Sequence, residues 1–315
     1  CVAKKIKDDI DCEIHGIFNV TNKPKKFIKN QKLVKFQSVN FYHDHVTELN
    51  TPPDLNYLKL KEDEYGINFM ASLLNDRTLY NFNEFYNFTT NQVLRLLELE
   101  MKFFEKVLSD IKPDYLIMNS VFLRPGHLFY LICKAKKISV LIPATTRLHG
   151  RMMITDDIDD LGFKNTFVRN NEKNQDFNKF HEKFDLKKEI LETSGRFLQS
   201  KSLAFSAVTS YLFSNNSNVK THYTYFGRSK TKVLKNYFLD LLKTKKRKKF
   251  IDKNFKYNLD NNTKFVYLPL HIEQEQVILI HAPYYTNQLE LVRHVAKSLP
   301  IDYKLVVKEH PMMYT

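Results

Sequence analysis

Residues 264–311 have the sequence KFVYLPLHIEQEQVILIHAPYYTNQLELVRHVAKSLPIDYKLVVKEHP, and this stretch decides the fold class. An apolar run at 265–268 stops at Pro269, apolar residues then recur at helical spacing from 289 to 299, and a second apolar run fills 303–307. Strand, loop, helix, strand and polar loop together predict one βαβ unit. Ligands of such units bind in the loops that follow the carboxyl ends of the strands. These two loops contain His271 and His310, and we look for function there.

A second strand–helix–strand pattern occupies residues 114–142, with a predicted strand at 114–118, a helix at about 127–137 and a strand at 138–142. The loop after its last strand contains Arg147, which is a candidate anion contact because a guanidinium group matches carboxylate and phosphate oxygens in a bidentate way. A solvated surface arginine is the alternative. The two patterns predict an α/β protein of two Rossmann-like domains that face a cleft.

The predicted domain boundaries follow from composition. We expect an amino-terminal Rossmann-like domain at 1–165, a helical, basic connecting region at 166–262, and the start of a carboxyl-terminal Rossmann-like domain at 263–315. A parallel sheet needs cover on both faces and partners for its inner edges. We therefore expect about 100 further residues after Thr315, so that the carboxyl-terminal domain is truncated here.

The net positive charge limits the classes of partner that the protein is expected to bind. Lysine and arginine number 49 against 35 acidic residues, a formal net charge of +14, which favours phosphates, acidic glycans or an anionic membrane face. A composition set by an AT-rich genome is the alternative. The sequence has no apolar run long enough for an ordinary transmembrane helix. Its three cysteines, Cys1, Cys12 and Cys133, show neither metal-ligand spacing nor a disulfide pattern, which suits a reducing cytosol.

A basic segment, Lys243–Lys249, follows an amphipathic helical pattern at 233–242. Cations suit a helix carboxyl terminus, but six in seven positions exceed what capping needs. Peripheral contact with anionic lipid headgroups is one interpretation, and a solvated linker is the other. We expect no nucleic-acid binding, because the sequence has no helix-turn-helix spacing, RNP motif or zinc finger.

Histidine and aspartate clusters offer weaker signals. His43 and His45 lie in a predicted strand at 39–46, where alternate residues share a face, so a metal site is one interpretation and hydrogen-bonded loop histidines are the other. The acidic residues near Asp156 and Asp157 lack the glycine and glutamate of an EF-hand loop, which favours a solvated turn. No G-x-G-x-x-G or Walker motif is present, so any phosphate must be held by side chains and helix amino termini. We predict no metal and no cofactor.

Three short segments carry a family resemblance: Tyr267–His271, Pro283–Tyr285 and Lys308–Pro311. They resemble the carboxyl-terminal half of capsule polysaccharide biosynthesis proteins, which are GT-B glycosyltransferase-like and related to capsule Kdo transferases. In that family a Pro-Leu-Gln-type loop and a His-Pro loop line the nucleotide-sugar site. The His-Pro pair is also similar to the one that contacts the nucleotide in GT-B sialyltransferases. His271 stands where the capsule enzymes usually have glutamine.

The resemblance implies a GT-B fold and a glycosyltransferase of capsule or surface polysaccharide biosynthesis, with a nucleotide-activated donor such as a CMP-sugar. It implies that His310 contacts the donor phosphate and that Lys308 adds positive charge nearby. The predicted donor-binding residues are Pro269, His271, Glu273, Tyr285, Lys308, His310, Pro311 and Arg147. The acceptor, a glycan or a lipid-linked glycan, needs a general base, for which His127, Asp156 and Asp157 are the candidates. The resemblance also implies that a chain truncated in this domain would be inactive.

Two alternatives stay open. A sugar-nucleotide epimerase or hydrolase would keep the fold without the transfer, and a non-catalytic basic adaptor would bind a membrane or nucleic acid through 243–249. For the transferase we expect a cytoplasmic location at the inner face of the cell membrane.

Overall fold

The computed structural model shows a mixed α/β protein in which small sheets contain parallel strand pairs. The structure describes residues 2–74, 76, 79, 84–118, 124–145, 152–157, 206, 208–209, 211–213, 222–255, 259, 262–272, 278–279 and 282–310. The chain divides into two compact units. Unit 1 comprises Cys1–Thr47, Lys102–Ser120 and Ile132–Tyr225, and unit 2 comprises Glu48–Met101, Val121–Leu131 and Phe226–Thr315. The boundaries predicted from composition stay a prediction.

The helices and strands follow one another in a mixed order. They are α1 (Val2–Asp9), β1 (His15–Phe18), α2 (Asn22–Asn30), β2 (Ser38–Phe41), α3 (Leu55–Tyr65), α4 (Phe69–Leu74), α5 (Thr90–Ile111), β3 (Tyr115–Ile117), α6 (Arg124–Ala135), β4 (Ser139–Thr145), β5 (Met152–Thr155), α7 (Lys230–Asn254), β6 (Phe265–Pro269), α8 (Gln288–Ser298) and β7 (Lys304–Lys308). Short 3-10 turns lie at Tyr42–Asp44, Tyr223–Tyr225 and Pro283–Tyr285.

Three strand pairs in the described part of the chain are parallel, and in sequence a helix lies between the two strands of each pair. These βαβ units are β1–α2–β2, β3–α6–β4 and β6–α8–β7. The predicted units at 114–142 and 264–308 are therefore confirmed, and the structure adds a third near the amino terminus. Parallel strands need such crossovers because a tight turn cannot reverse the chain direction twice.

The strand β4 is longer than predicted. The prediction ended it before Pro143, whereas the strand continues to Thr145 and pairs antiparallel with β5, with Pro143 opposite Ile154. The pairing of β4 with β3 ends at Leu141. At Pro143, therefore, β4 is paired with β5 and not with β3. A proline, which lacks an N–H donor, is tolerated in a strand where no ladder bond is required of it.

Local capping chemistry explains the bounds of α3 and α5. The Asp54 carboxylate accepts a hydrogen bond from the Tyr57 amide at 3.0 Å, and Gly66 ends α3 in the left-handed conformation at φ 64°. An aspartate before the first turn and a glycine after the last turn are the usual start and stop signals of a helix. At the start of α5, Thr89 and Gln92 exchange side-chain-to-backbone hydrogen bonds in a capping box, so Thr89 caps the helix.

The core of unit 1 forms where β2 and its following turn meet the second half of α5. Phe41, Tyr42, Phe103 and Phe104 are buried there, and the Tyr42 ring is stacked on that of Phe104 at 6.4 Å between centroids. Aromatic pairs of this kind stabilise a core beyond the area that they bury.

The core of unit 2 contains a buried ion cluster. Arg124, at the first position of α6, donates from Nε to Asp76 at 2.7 Å and from Nη2 to Glu100 at 2.9 Å, and its Nη1 also contacts Glu100. All three side chains are less than a tenth exposed. Such ions are stable in a core only when they are paired, so the cluster fixes α6 against α5 within unit 2.

No helix in the described part of the chain is both long enough and apolar enough to cross a membrane.

Candidate functional site

The carboxyl edge of the β6–β7 pair brings the two predicted histidine loops together. Pro269 at the end of β6 lies opposite Lys308 at the end of β7, and the Leu270 amide donates to the Lys308 carbonyl at 2.8 Å. His271 and His310 each follow two residues later, so they leave the sheet at the same edge. Neither is enclosed in the core: His271 is exposed and His310 is half-buried.

Gln288 fixes the loop after β6 to the start of α8. The His271 amide donates to Oε1 of Gln288 at 2.8 Å, and Nε2 of Gln288 donates to the His271 carbonyl at 2.9 Å. The Gln288 side chain is buried, so both bonds are shielded from water. Because the clamp holds only the main chain of His271, the imidazole remains available to a ligand.

The amino terminus of α8 lies at this same edge, because Gln288 is the first residue of the helix. The Asn287 side chain caps the helix by accepting from the Glu290 amide at 3.3 Å. The N–H groups of a first helical turn carry partial positive charge, which favours anions. Tyr285, just before the cap, is more than half exposed. The edge thus combines imidazole donors, a helix amino terminus and an accessible aromatic ring.

Only some of the other predicted donor-site residues lie among the described residues. Lys308 ends β7 and is exposed, and Pro269 ends β6 and is exposed. Glu273, Pro311 and Arg147 lie outside the described residues.

The three candidates for a general base belong to different parts of the fold. His127 lies in α6 within unit 2, where its half-buried ring is parallel to that of Tyr130 at 6.4 Å between centroids. Asp156 and Asp157 follow β5 within unit 1. The Asp157 carboxylate is 3.6 Å from the Lys134 ammonium, and this pair is partly exposed. A role for any of them as a base stays a prediction.

Unit 1 contains a histidine cluster at the carboxyl end of β2. His43 lies in the 3-10 turn after the strand, and its ring centroid is 4.9 Å from that of His222. His45 lies outside the strand as well and stacks on Phe103 at 4.3 Å. The predicted strand over 39–46 is therefore wrong beyond Phe41, and His43 and His45 do not share a strand face.

Burial governs the acid–base chemistry of this cluster. His43 is 4% exposed, and its Nδ1 has no hydrogen-bond partner. Burial, with His222 nearby, lowers the pKa of His43 to about 4. Burial also lowers the pKa of His45 and that of His222. Around neutral pH His43 is therefore an uncharged imidazole.

Several partners of this cluster were not predicted from the sequence. Tyr223 approaches Tyr42 with 3.3 Å between their hydroxyl oxygens, and Tyr225 lies 2.9 Å from the Thr21 hydroxyl. Lys25 donates to the Asp44 carboxylate at 2.6 Å. The one sequence signal was the density of histidine and tyrosine at 42–45 and again at 222–225. Among the described residues no group of three or more metal-ligating side chains is placed to hold a metal ion.

The sequence matches no protein-family model, no curated protein and no solved structure.

Proposed function

We propose that this chain is part of a glycosyltransferase of capsule or surface polysaccharide biosynthesis that takes its sugar from a nucleotide-activated donor, with a CMP-sugar as the first donor to test. The finer architecture proposed with it is GT-B, two Rossmann-like domains. The observation that supports the proposal best is the shared edge of His271 and His310 beside the amino terminus of α8. Parallel α/β sheets bind their ligands at such edges.

The chemistry of the edge suits a phosphate-bearing donor. In the transfer, an acceptor hydroxyl oxygen forms a bond to the anomeric carbon, the bond from that carbon to the phosphate oxygen breaks, and the nucleotide leaves with the bonding electrons. Negative charge then grows on the phosphate. His310 and the N–H groups of the first turn of α8 would stabilise that charge by hydrogen bonding. Lys308 would add a cation at the same edge. The acceptor proton passes to a base, for which His127, Asp156 and Asp157 remain the candidates.

The direct test is nucleotide binding with a matched pair of histidine variants in the full-length protein. CMP, UDP and GDP are titrated by calorimetry, and the preferred nucleotide is then tested as its sugar conjugate. His310→Ala should weaken binding about tenfold or more, because a hydrogen bond to a charged group is lost. His294→Ala is the control, since His294 is exposed on α8 of the same βαβ unit.

Three results decide between these functions. Two observations together support the donor site. Nucleotide binding should slow hydrogen exchange at 269–272 and 282–310, and the affinity should fall in His310→Ala but not in His294→Ala. Wild-type affinity in His310→Ala contradicts it. Conversion or hydrolysis of the sugar nucleotide without any acceptor would replace the transferase with an epimerase or hydrolase.

A further inference from the structure

The helix α7 presents apolar side chains to solvent along its first half. None of its 25 residues is buried. Tyr237, Phe238 and Leu242 are each at least half exposed, and Leu241 is 44% exposed. A soluble helix normally turns such residues inward, so a run of them at 237–242 marks a surface that a partner covers.

The second half of the same helix is cationic. Lys243–Lys249 contains six cations, and no acidic residue occurs between Asp240 and Asp252. Apolar and cationic residues share one side of the helix, because spacings of four, three and four separate Phe238, Leu242, Lys245 and Lys249. At 1.5 Å per residue the whole helix is about 37 Å long.

The start of α7 is attached to unit 2 by contacts with residues 84–86. Gly227 has φ 72°, and a Cβ there would lie 2.1 Å from the Phe85 carbonyl oxygen, so the chain passes too close for any other residue. Arg228 lies over the Phe85 ring at 5.0 Å, and Asn236 donates to Glu84 at 3.2 Å. These contacts hold the helix at one end while 237–249 stay exposed.

We propose that α7 docks on an anionic lipid surface, with 237–242 entering the boundary between headgroups and acyl chains and 243–249 lying against the lipid phosphates. The apolar residues distinguish lipid from nucleic acid, since three exposed leucines at 239, 241 and 242 have no use on a phosphate backbone. Lysine side chains reach phosphates while their apolar stems stay near the hydrocarbon. Docking of α7 is independent of the proposed transferase function.

The absence of tryptophan from the sequence allows a direct test of insertion. Phe238→Trp places a single reporter on the apolar half of α7, and Ile301→Trp places one at an even more exposed apolar position elsewhere in unit 2. Phosphatidylcholine vesicles containing phosphatidylglycerol should shift the emission of Phe238→Trp to the blue and leave that of Ile301→Trp unchanged. Equal shifts, or no shift at Phe238→Trp, overturn the proposal.

Vesicle sedimentation tests the charge requirement. Lys245, Lys246 and Lys249 are replaced together by Gln, and the control replaces the exposed Lys26, Lys32 and Lys35 by Gln with the same change in net charge. Each lysine near an anionic surface is worth about fivefold in binding. Because three lysines are removed, the α7 variant should lose on the order of a hundredfold in binding, and the control much less.

Three results overturn the proposal at this step. The first is an equal loss in both triple variants, which would indicate diffuse attraction by net charge. The second is wild-type binding that is as strong without phosphatidylglycerol as with it, and the third is binding of duplex DNA or RNA that exceeds vesicle binding at the same ionic strength. Because surface charge is screened by salt, all three comparisons are made at one salt concentration.

Discussion

Histidines follow parallel strands in two regions of this molecule, and the two regions treat them in opposite ways. After β2, His43 is enclosed with His222 and Tyr42 in the core of unit 1. After β6 and β7, His271 and His310 remain within reach of solvent. A position at the carboxyl end of a strand is therefore not enough to make a histidine a ligand contact.

The elements packed over each strand end cause the difference. Aromatic residues from 222–225 and from α5 cover the end of β2, so the imidazole of His43 is part of the packing. At the other site, Gln288 contacts only the main chain of His271. The comparison separates polar residues that serve stability from polar residues that can serve binding, and substitutions can test that separation.

The largest expected effect is at the buried ion cluster. Arg124→Met should lower the free energy of unfolding by about 4 kcal/mol, because Asp76 and Glu100 would keep buried charge without its partner. Arg293→Met is the control, since the pair Arg293–Glu290 is exposed and should contribute less than about 1 kcal/mol. Urea unfolding of both variants measures the difference, and equal small losses would show that the cluster is not a stability element.

The next effect is a loss of stability in acid that depends on His43. Its pKa is lowered in the folded protein, so protons bind the unfolded chain more tightly and stability is lost as pH falls from about 6.5 towards 4. Between about pH 7.5 and about pH 4.5 the loss of stability at this residue should be about 2.5 kcal/mol. His43→Phe removes the titrating group. Its free energy of unfolding, measured in urea, should therefore fall by that much less than the wild-type value over the same pH range. A variant as acid-sensitive as the wild type would refute the assignment.

The smallest effect belongs to the open edge. Gln288→Ala should cost about 1–2 kcal/mol, because the partly buried amide and carbonyl of His271 lose the side chain that pairs with both. His271→Ala should change stability by less than about 0.5 kcal/mol, since an exposed side chain away from such features contributes little. Hydrogen exchange at 270–272 should speed up in Gln288→Ala alone. The same acceleration in both variants would show that the imidazole itself holds the loop.

Local elements of the fold are encoded by signals that span only a few residues. Asp54 and Gly66 bound α3, and Thr89 caps α5, because cap chemistry acts between neighbours in sequence. The βαβ units at 114–142 and 264–308 were also predictable, because apolar periodicity records which face of each element is buried.

Features that depend on distant contacts were not predictable. The hydroxyls of Tyr42 and Tyr223 meet across 181 residues of sequence, and no local pattern at 42–45 indicates that partner. Pro143 suggested a loop because proline usually ends a strand, but the pairing of β4 with β5 retains it. At the candidate site the edge itself was predicted, whereas the role of Gln288 required the coordinates.

The attachment of the loop through its backbone leaves residue 271 interchangeable. A different polar side chain at that position would sit on the same scaffold while offering a different set of hydrogen-bond donors and acceptors. A single codon change could thus alter the hydrogen bonding that this edge offers to solvent or to a ligand, and keep the architecture of the edge intact.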